Sequence, residues 1–322
     1  MTIQDIFSGF NNYLEKFMPV LTPLGVILGL IFGEHLAPLK PWVIWLFAFI
    51  TLSGAMGLEM SDFKKVLTNP LPVVLIFFCA HVITPIAVFV LGNLIFPGQN
   101  DIITGYILLS AIPAAVASYI WTSIYYGNGA LTLTAIFLDT LLAPLVTPFI
   151  VKTLTSSDIV IDTRGMVASL FAMVVVPSII GVLANHLSQN RLRKYVTGYC
   201  KPVSKIVLLM VIAINTSQAA HRFHFDFSLL KIALVNVVLT IFGFLLAYGV
   251  SRLIRAEKEI QVSMTFASGM RNISAAMVLA INFFPPGSSI PVITGVVLQQ
   301  TISALVGYIL FVRHKQSSTA AG

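Results

Sequence analysis

The chain has 322 residues, 57% of them hydrophobic and only 10% charged, with a mean hydropathy of +0.93. A soluble domain carries roughly 25% charged residues, so nineteen basic and twelve acidic side chains are too few to cover a water-facing surface of this size. Disorder needs low hydrophobicity and high charge, so the same figures exclude it and leave a polytopic membrane protein lying in a lipid bilayer.

Taken in chain order, apolar stretches between charges and turn residues predict spans at 17–33, 41–59, 71–95, 102–125, 129–153, 165–187, 203–220, 228–253, 259–283 and 288–312. Each is near the roughly 20 residues that a bilayer requires. Lipid offers the backbone no hydrogen-bond partner, so such runs are helices or barrel strands, and stretches such as 173–176 and 207–214 lack the alternation of a barrel. The N-terminus carries Asp5 and Glu15 and lacks a basic, cleavable signal pattern, so the first span is expected to stay in the mature protein. Lysine and arginine fall thirteen on one side of this arrangement and five on the other. The positive-inside rule then puts both termini in the cytoplasm. The net charge of +7 therefore reads as basic cytoplasmic loops, with no nucleic-acid partner. Cys79 and Cys200 stand far apart, so neither a disulfide framework nor a metal site is expected.

The chain also resembles itself at half its length. Phe137-Leu-Asp-Thr-Leu-Leu-Ala-Pro-Leu-Val146 lies over Val297-Leu-Gln-Gln-Thr-Ile-Ser-Ala-Leu-Val306, with Gly127 and Gly287 at the same offset. Five spans in each half, residues 1–153 and 154–322, force the second copy to enter the membrane inverted. Inverted repeats are characteristic of secondary transporters, whose sites lie where broken helices of both halves meet. Two spans carry such breaks. Pro113 interrupts the fourth, removing a backbone donor and clashing with the preceding turn. Gly269 and Asn272 interrupt the ninth. Half-helix starts there would offer N–H groups to an anion.

Asp139 and Arg271 are the two charged residues near the centre of a predicted span, each costing roughly 2.5–3.5 kcal/mol to insert. Asp139 shares a helical face with Thr132, Ala135, Ala143 and Thr147, and Arg271 with Ala267, Ser268, Ser274 and Ala275. Small and polar neighbours at this spacing face a bundle interior or a cavity. Two readings follow: a substrate or proton site, or a structural Asp139–Arg271 ion pair joining the halves. His81 is a third ionisable group at mid-depth, either packed neutral or serving as a proton carrier, since histidine titrates near physiological pH. Gln299 and Gln300 occupy the repeat positions of Asp139 and Thr140 and add neutral hydrogen-bonding capacity.

Several motifs resemble the bile acid:sodium symporter family. They are Met56-Gly-Leu-Glu-Met-Ser-Asp-Phe63 with Asn69-Pro70, Pro113 to Ser118, Gly127-Asn-Gly-Ala-Leu-Thr132, Ala143-Pro-Leu-Val-Thr-Pro148 and Gly269-Met-Arg-Asn272. The resemblance runs in order over most of the chain. It implies ten helices, a panel and a core subdomain, alternating access, and an organic anion moved by a cation gradient. The family's acidic sodium ligand before Gly-Met is matched by Ala267, its glutamine after Gly-Met by Arg271, its third-helix glutamine by His81, and its Ser-Asn pair by Ser118-Tyr119. A guanidinium only donates and cannot ligate a cation.

The expected fold class is therefore an all-α polytopic membrane protein, about ten transmembrane helices as two inverted five-helix repeats with helices 4 and 9 broken. The expected activity is secondary transport of a small or medium organic anion across the inner membrane. Arg271, Asn272, Ser118, Tyr119, Ala115, Val116, Gln299 and Gln300 are the substrate-binding candidates. Asp139, His81, Thr132 and Ser268 are the coupling candidates. No cofactor is expected, and sodium is the alternative coupling ion to the proton. Three rival readings are an intramembrane enzyme, a gated channel and an arsenite-type carrier using Cys79. The first finds neither a Gly-x-Ser-x-Gly elbow nor a His-Glu-x-x-His motif in the sequence.

Overall fold

The structure, a computed structural model, describes Leu14, Phe17, Leu21 and residues 23–56, 69–156, 162–189, 191–192, 199–219 and 227–312. Most of the Met56–Phe63 motif and both chain ends lie outside the described residues. A helical stretch over 23–31 precedes α1 (Gly33–Ala55), α2 (Leu71–Ile95), α3 (Asn100–Ala111), α4 (Ala117–Ile124), α5 (Gly129–Leu154) and α6 (Thr163–Leu187). The remainder is α7 (Lys201–Ala219), α8 (Phe227–Leu253), α9 (Lys258–Gly269), α10 (Ile273–Phe283) and α11 (Pro286–Phe311). Among the described residues the architecture is all-helical, and six of these helices, α1, α2, α5, α6, α8 and α11, are long and apolar enough to cross a membrane.

The helices pack in two groups. The 23–31 stretch lies on α7, which together with α6 packs against α1. The other group gathers α2 to α5 and α8 to α11 around the buried, largely apolar α3 and α10. The groups meet where α6 touches α5 and where α6 and α7 touch α10.

Close approach inside the second group depends on Gly105 of α3, where a Cβ would run into the Ser288 carbonyl oxygen at the start of α11. That obstacle is backbone and cannot swing aside. Gly105→Ala is expected to lower stability by about 1–3 kcal/mol, the range for overpacking, read as a lower thermal midpoint of the detergent-solubilised protein. An unchanged midpoint would show that the two helices part freely.

Two local devices position the site. In α2, the turn Cys79–Ile83 is a π-helix, so the Thr84 N–H bonds to the Cys79 carbonyl. The next residue, Pro85, has no N–H to give. Ala80 is thereby left with a carbonyl that no backbone donor claims. Between α3 and α4, Pro113 pushes Ile112 into an extended conformation (φ −68°, ψ 150°). Met270 is extended likewise between α9 and α10 (φ −100°, ψ 123°). Both breaks expected from the sequence are present.

Candidate functional site

The two unwound segments cross and pair. Ala114 and Arg271 form an isolated antiparallel bridge, with Ala115 N–H donating to Met270 O at 3.0 Å and Asn272 N–H to Pro113 O at 2.8 Å. This is a strand-like contact buried among helices. It satisfies backbone groups that lipid could not.

Three side chains complete the crossing. Gln299 of α11 accepts from the Arg271 N–H at 2.9 Å and donates to the Arg271 carbonyl at 2.9 Å, so its amide imitates a third strand. Asp139 of α5 accepts from the Ala114 N–H at 2.8 Å through Oδ2 and lies 2.7 Å from His81 Nε2 through Oδ1. The Arg271 guanidinium donates to the Ala80 carbonyl at 2.8 Å and to the Ile112 carbonyl at 3.3 Å. Both acceptors are groups that the π-turn and the proline break released. Ile112 caps the C-terminal end of α3, where the helix dipole favours a cation.

The structural ion pair between Asp139 and Arg271 does not form. Asp139 pairs with His81 and the freed Ala114 N–H, while the guanidinium is held by the two orphaned carbonyls. The two charges still attract one another across the bridge. All three ionisable groups are buried: Arg271 is 6% exposed, and the side chains of His81 and Asp139 are 7% and 5% exposed.

Arg271, Gln299 and Ser268 line a cavity of about 40 Å³, room for one or two waters. Thr84, Ser110 and Asn236 supply further polar lining. Neither hydroxyl carries a marked pattern in the sequence. A mid-span asparagine is a usable signal, however, and Asn236 is 1% exposed and donates to Pro291 O at 2.6 Å and Thr294 Oγ1 at 2.7 Å.

The remaining candidates divide. Ala115 lies in the bridge itself. Ser118 is fully buried and donates to the Ala115 carbonyl at 2.7 Å, and Asn272 caps α10 by accepting from Ala275 N–H at 3.3 Å. Both side chains thus serve their own backbone turns. The freed N–H groups expected to await an anion are in part consumed at the crossing, by Asp139, Met270, Pro113 and Gln299. Thr132 pairs with Thr122 at 3.1 Å. On the outer face of α4, Val116 is 53% exposed and Tyr119 is partly exposed. Gln300 accepts from the Trp121 indole at 3.0 Å, and Trp121 and Tyr125 stack on Phe266 of α9. Gln300, Thr132 and the α4 face therefore stand apart from the cavity.

Among the described residues no group of three or more His, Cys, Asp or Glu side chains is placed to hold a metal ion. The carbonyls of Ala80 and Ile112 converge instead on a cation that the chain supplies itself.

In fold, the chain is similar to the sodium proton antiporter MjNhaP1 from Methanocaldococcus jannaschii, at a TM-score of 0.57 and 15% identity, covering 95% of this chain and 94% of that one. It is 27% identical over 294 residues to the probable sodium/metabolite cotransporter BASS2, chloroplastic, of Oryza sativa subsp. japonica, spanning 87% of this chain and 68% of that protein. It is 38% identical over 294 residues to the uncharacterized protein YbaS of Bacillus subtilis (strain 168), spanning 91% of this chain and 96% of the relative. The model of the Sodium Bile acid symporter family matches residues 43–224, and with those matches the chain belongs to that family of membrane transporters.

Proposed function

We propose that the protein is a secondary carrier of a small or medium organic anion in the bacterial inner membrane, working by alternating access. The observation that carries this reading is a buried guanidinium, held by carbonyls rather than by a carboxylate, at the crossing of two broken helices. Such a charge is costly unless it serves a cargo or an ion. The small cavity beside Arg271 leaves no room for an organic anion, so Arg271 acts from behind the crossing as a fixed positive field. The anion is placed instead at the starts of α4 and α10, where Val116 is exposed and Ala117 and Ser274 are partly exposed. In this reading ten helices form two inverted repeats, residues 1–153 and 154–322, with both termini cytoplasmic. The group of α1, α6 and α7 serves as the panel against which the larger group, the core, rocks.

The cation driving uptake is the proton, carried at the His81–Asp139 pair. Sodium coupling is the second reading, favoured by the sodium/metabolite cotransporter relative. Purified protein in liposomes decides between them. Uptake of carboxylates and sulfonates is expected to follow an inside-alkaline pH gradient in sodium-free buffer. Strict dependence on sodium would transfer the coupling role to that ion, and failure of every organic anion to move would remove the carrier reading.

A further inference from the structure

On the carrier reading above, the buried charges at the crossing decide what accompanies each anion. A carboxylate only accepts hydrogen bonds, so His81 Nε2, 2.7 Å from Asp139 Oδ1, bears the ring proton. His81 Nδ1 is then a bare acceptor, and it is buried without a hydrogen-bond partner. A proton arriving there makes an imidazolium that still donates through Nε2 to Asp139, and no other bond has to break.

The elements packed on this turn bring few other ionisable groups to it. Asp139 comes from α5, Arg271 from the bridge, Cys79 from the same turn and Tyr106 from α3. The other ionisable residues of α3, α8 and α9 are Asp101, Lys231, Tyr248, Arg252, Lys258 and Glu259, all placed toward helix ends. Tyr106 already donates to the Ile232 carbonyl at 2.6 Å.

With His81 neutral, Asp139 and Arg271 cancel. An anion alone would leave the buried crossing at minus one, and a proton alone would leave it at plus one. Only the empty form and the form bearing both are neutral. A net charge is penalised by desolvation and by the membrane potential when it moves. The two neutral forms are therefore the ones that reorient, and slippage is suppressed. We infer that each transport cycle carries one monovalent anion together with one proton on His81 Nδ1, electroneutrally. A dianion would need a second proton, and Asp139, the other acidic group at the crossing, is already engaged by His81 Nε2 and the Ala114 N–H, so the cargo class is monocarboxylates and monosulfonates.

The test uses the full-length protein in liposomes, with ethanesulfonate, benzenesulfonate and lactate as monoanions and 1,2-ethanedisulfonate as dianion, after subtraction of protein-free liposomes. Sulfonates stay ionised, so any proton moving with them rides on the protein. An inside-alkaline gradient is expected to accumulate at least one monoanion about tenfold. A potassium diffusion potential at equal pH should leave the initial rate within about twofold, and the disulfonate should not accumulate. Asp139→Asn retains an oxygen for the Ala114 N–H but leaves the empty crossing at plus one. This variant should still exchange labelled for unlabelled monoanion at equal pH on both sides, since Arg271 and the bound anion cancel without a proton. Its gradient-driven accumulation should disappear. Uptake by the unmodified protein that a potential alone drives, accumulation of the disulfonate, or pH-driven accumulation kept by Asp139→Asn would each overturn electroneutral one-to-one symport while leaving the carrier standing. Failure of all three monoanions to move under any gradient would overturn the carrier reading and this inference with it.

Discussion

Replacing Arg271 by alanine is expected to abolish transport, with uptake at least about a hundredfold lower, equivalent to roughly 2.7 kcal/mol at the rate-limiting step. The cause is visible at the crossing. The guanidinium is the donor for Ala80 O and Ile112 O, and removing it leaves two buried carbonyls unpaired, at about 1–3 kcal/mol each. It also leaves the carboxylate of Asp139 facing the anion with no fixed cation behind it. Arg271→Lys returns the charge but not the planar fork that spans two acceptors, so partial recovery is expected, within about tenfold of the original rate. Uptake assays with both variants, alongside their thermal midpoints, check this. An alanine variant transporting at the original rate would remove Arg271 from any part in the cycle.

Gln299→Leu is the second large effect. The amide holds both the N–H and the carbonyl of Arg271, each at 2.9 Å, and leucine fills similar volume with nothing to offer either. The buried Arg271 N–H then loses its partner, at about 1–3 kcal/mol, its carbonyl keeps only the Ile273 N–H at 2.8 Å, and the bridge that sets the angle between the broken helices loosens. A fall of several degrees in the melting midpoint and a loss of uptake above about tenfold are expected. Gln299→Glu keeps the acceptor for the N–H but not the donor for the carbonyl, so it should fall between leucine and glutamine. Equal stability of the leucine variant and the unmodified protein would show that the amide does not hold the crossing together.

Much of this arrangement was legible in the residues, and the parts that were not share one cause. Pro113 and the Gly269–Asn272 stretch announced the two breaks because a missing N–H or Cβ acts locally, wherever the chain lies. Arg271 and Asp139 announced themselves by the cost of burial. What each would touch was not legible, because that depends on which backbone groups the fold leaves unpaired. The π-turn before Thr84-Pro85 frees Ala80 O, and that carbonyl together with Ile112 O holds the guanidinium. Gln299 read as neutral lining for a similar reason: its role is to imitate a strand, which exists only once the two segments have crossed. Motif position makes Ser118 and Asn272 candidate ligands, while in the structure their side chains bond within their own turns. Asn236 is legible as well, since an amide in mid-span is as informative as a charge.

The aromatic stack on α4 has a practical consequence. Trp121 leans on Phe266 and holds Gln300, one turn beyond the bridge. The chain's other two tryptophans, Trp42 and Trp45, are 63% and 66% exposed on α1. With those two exchanged for phenylalanine, indole emission comes from a single fluorophore seated beside the crossing, and its wavelength and quenching would report any tilt of α4 without an attached dye.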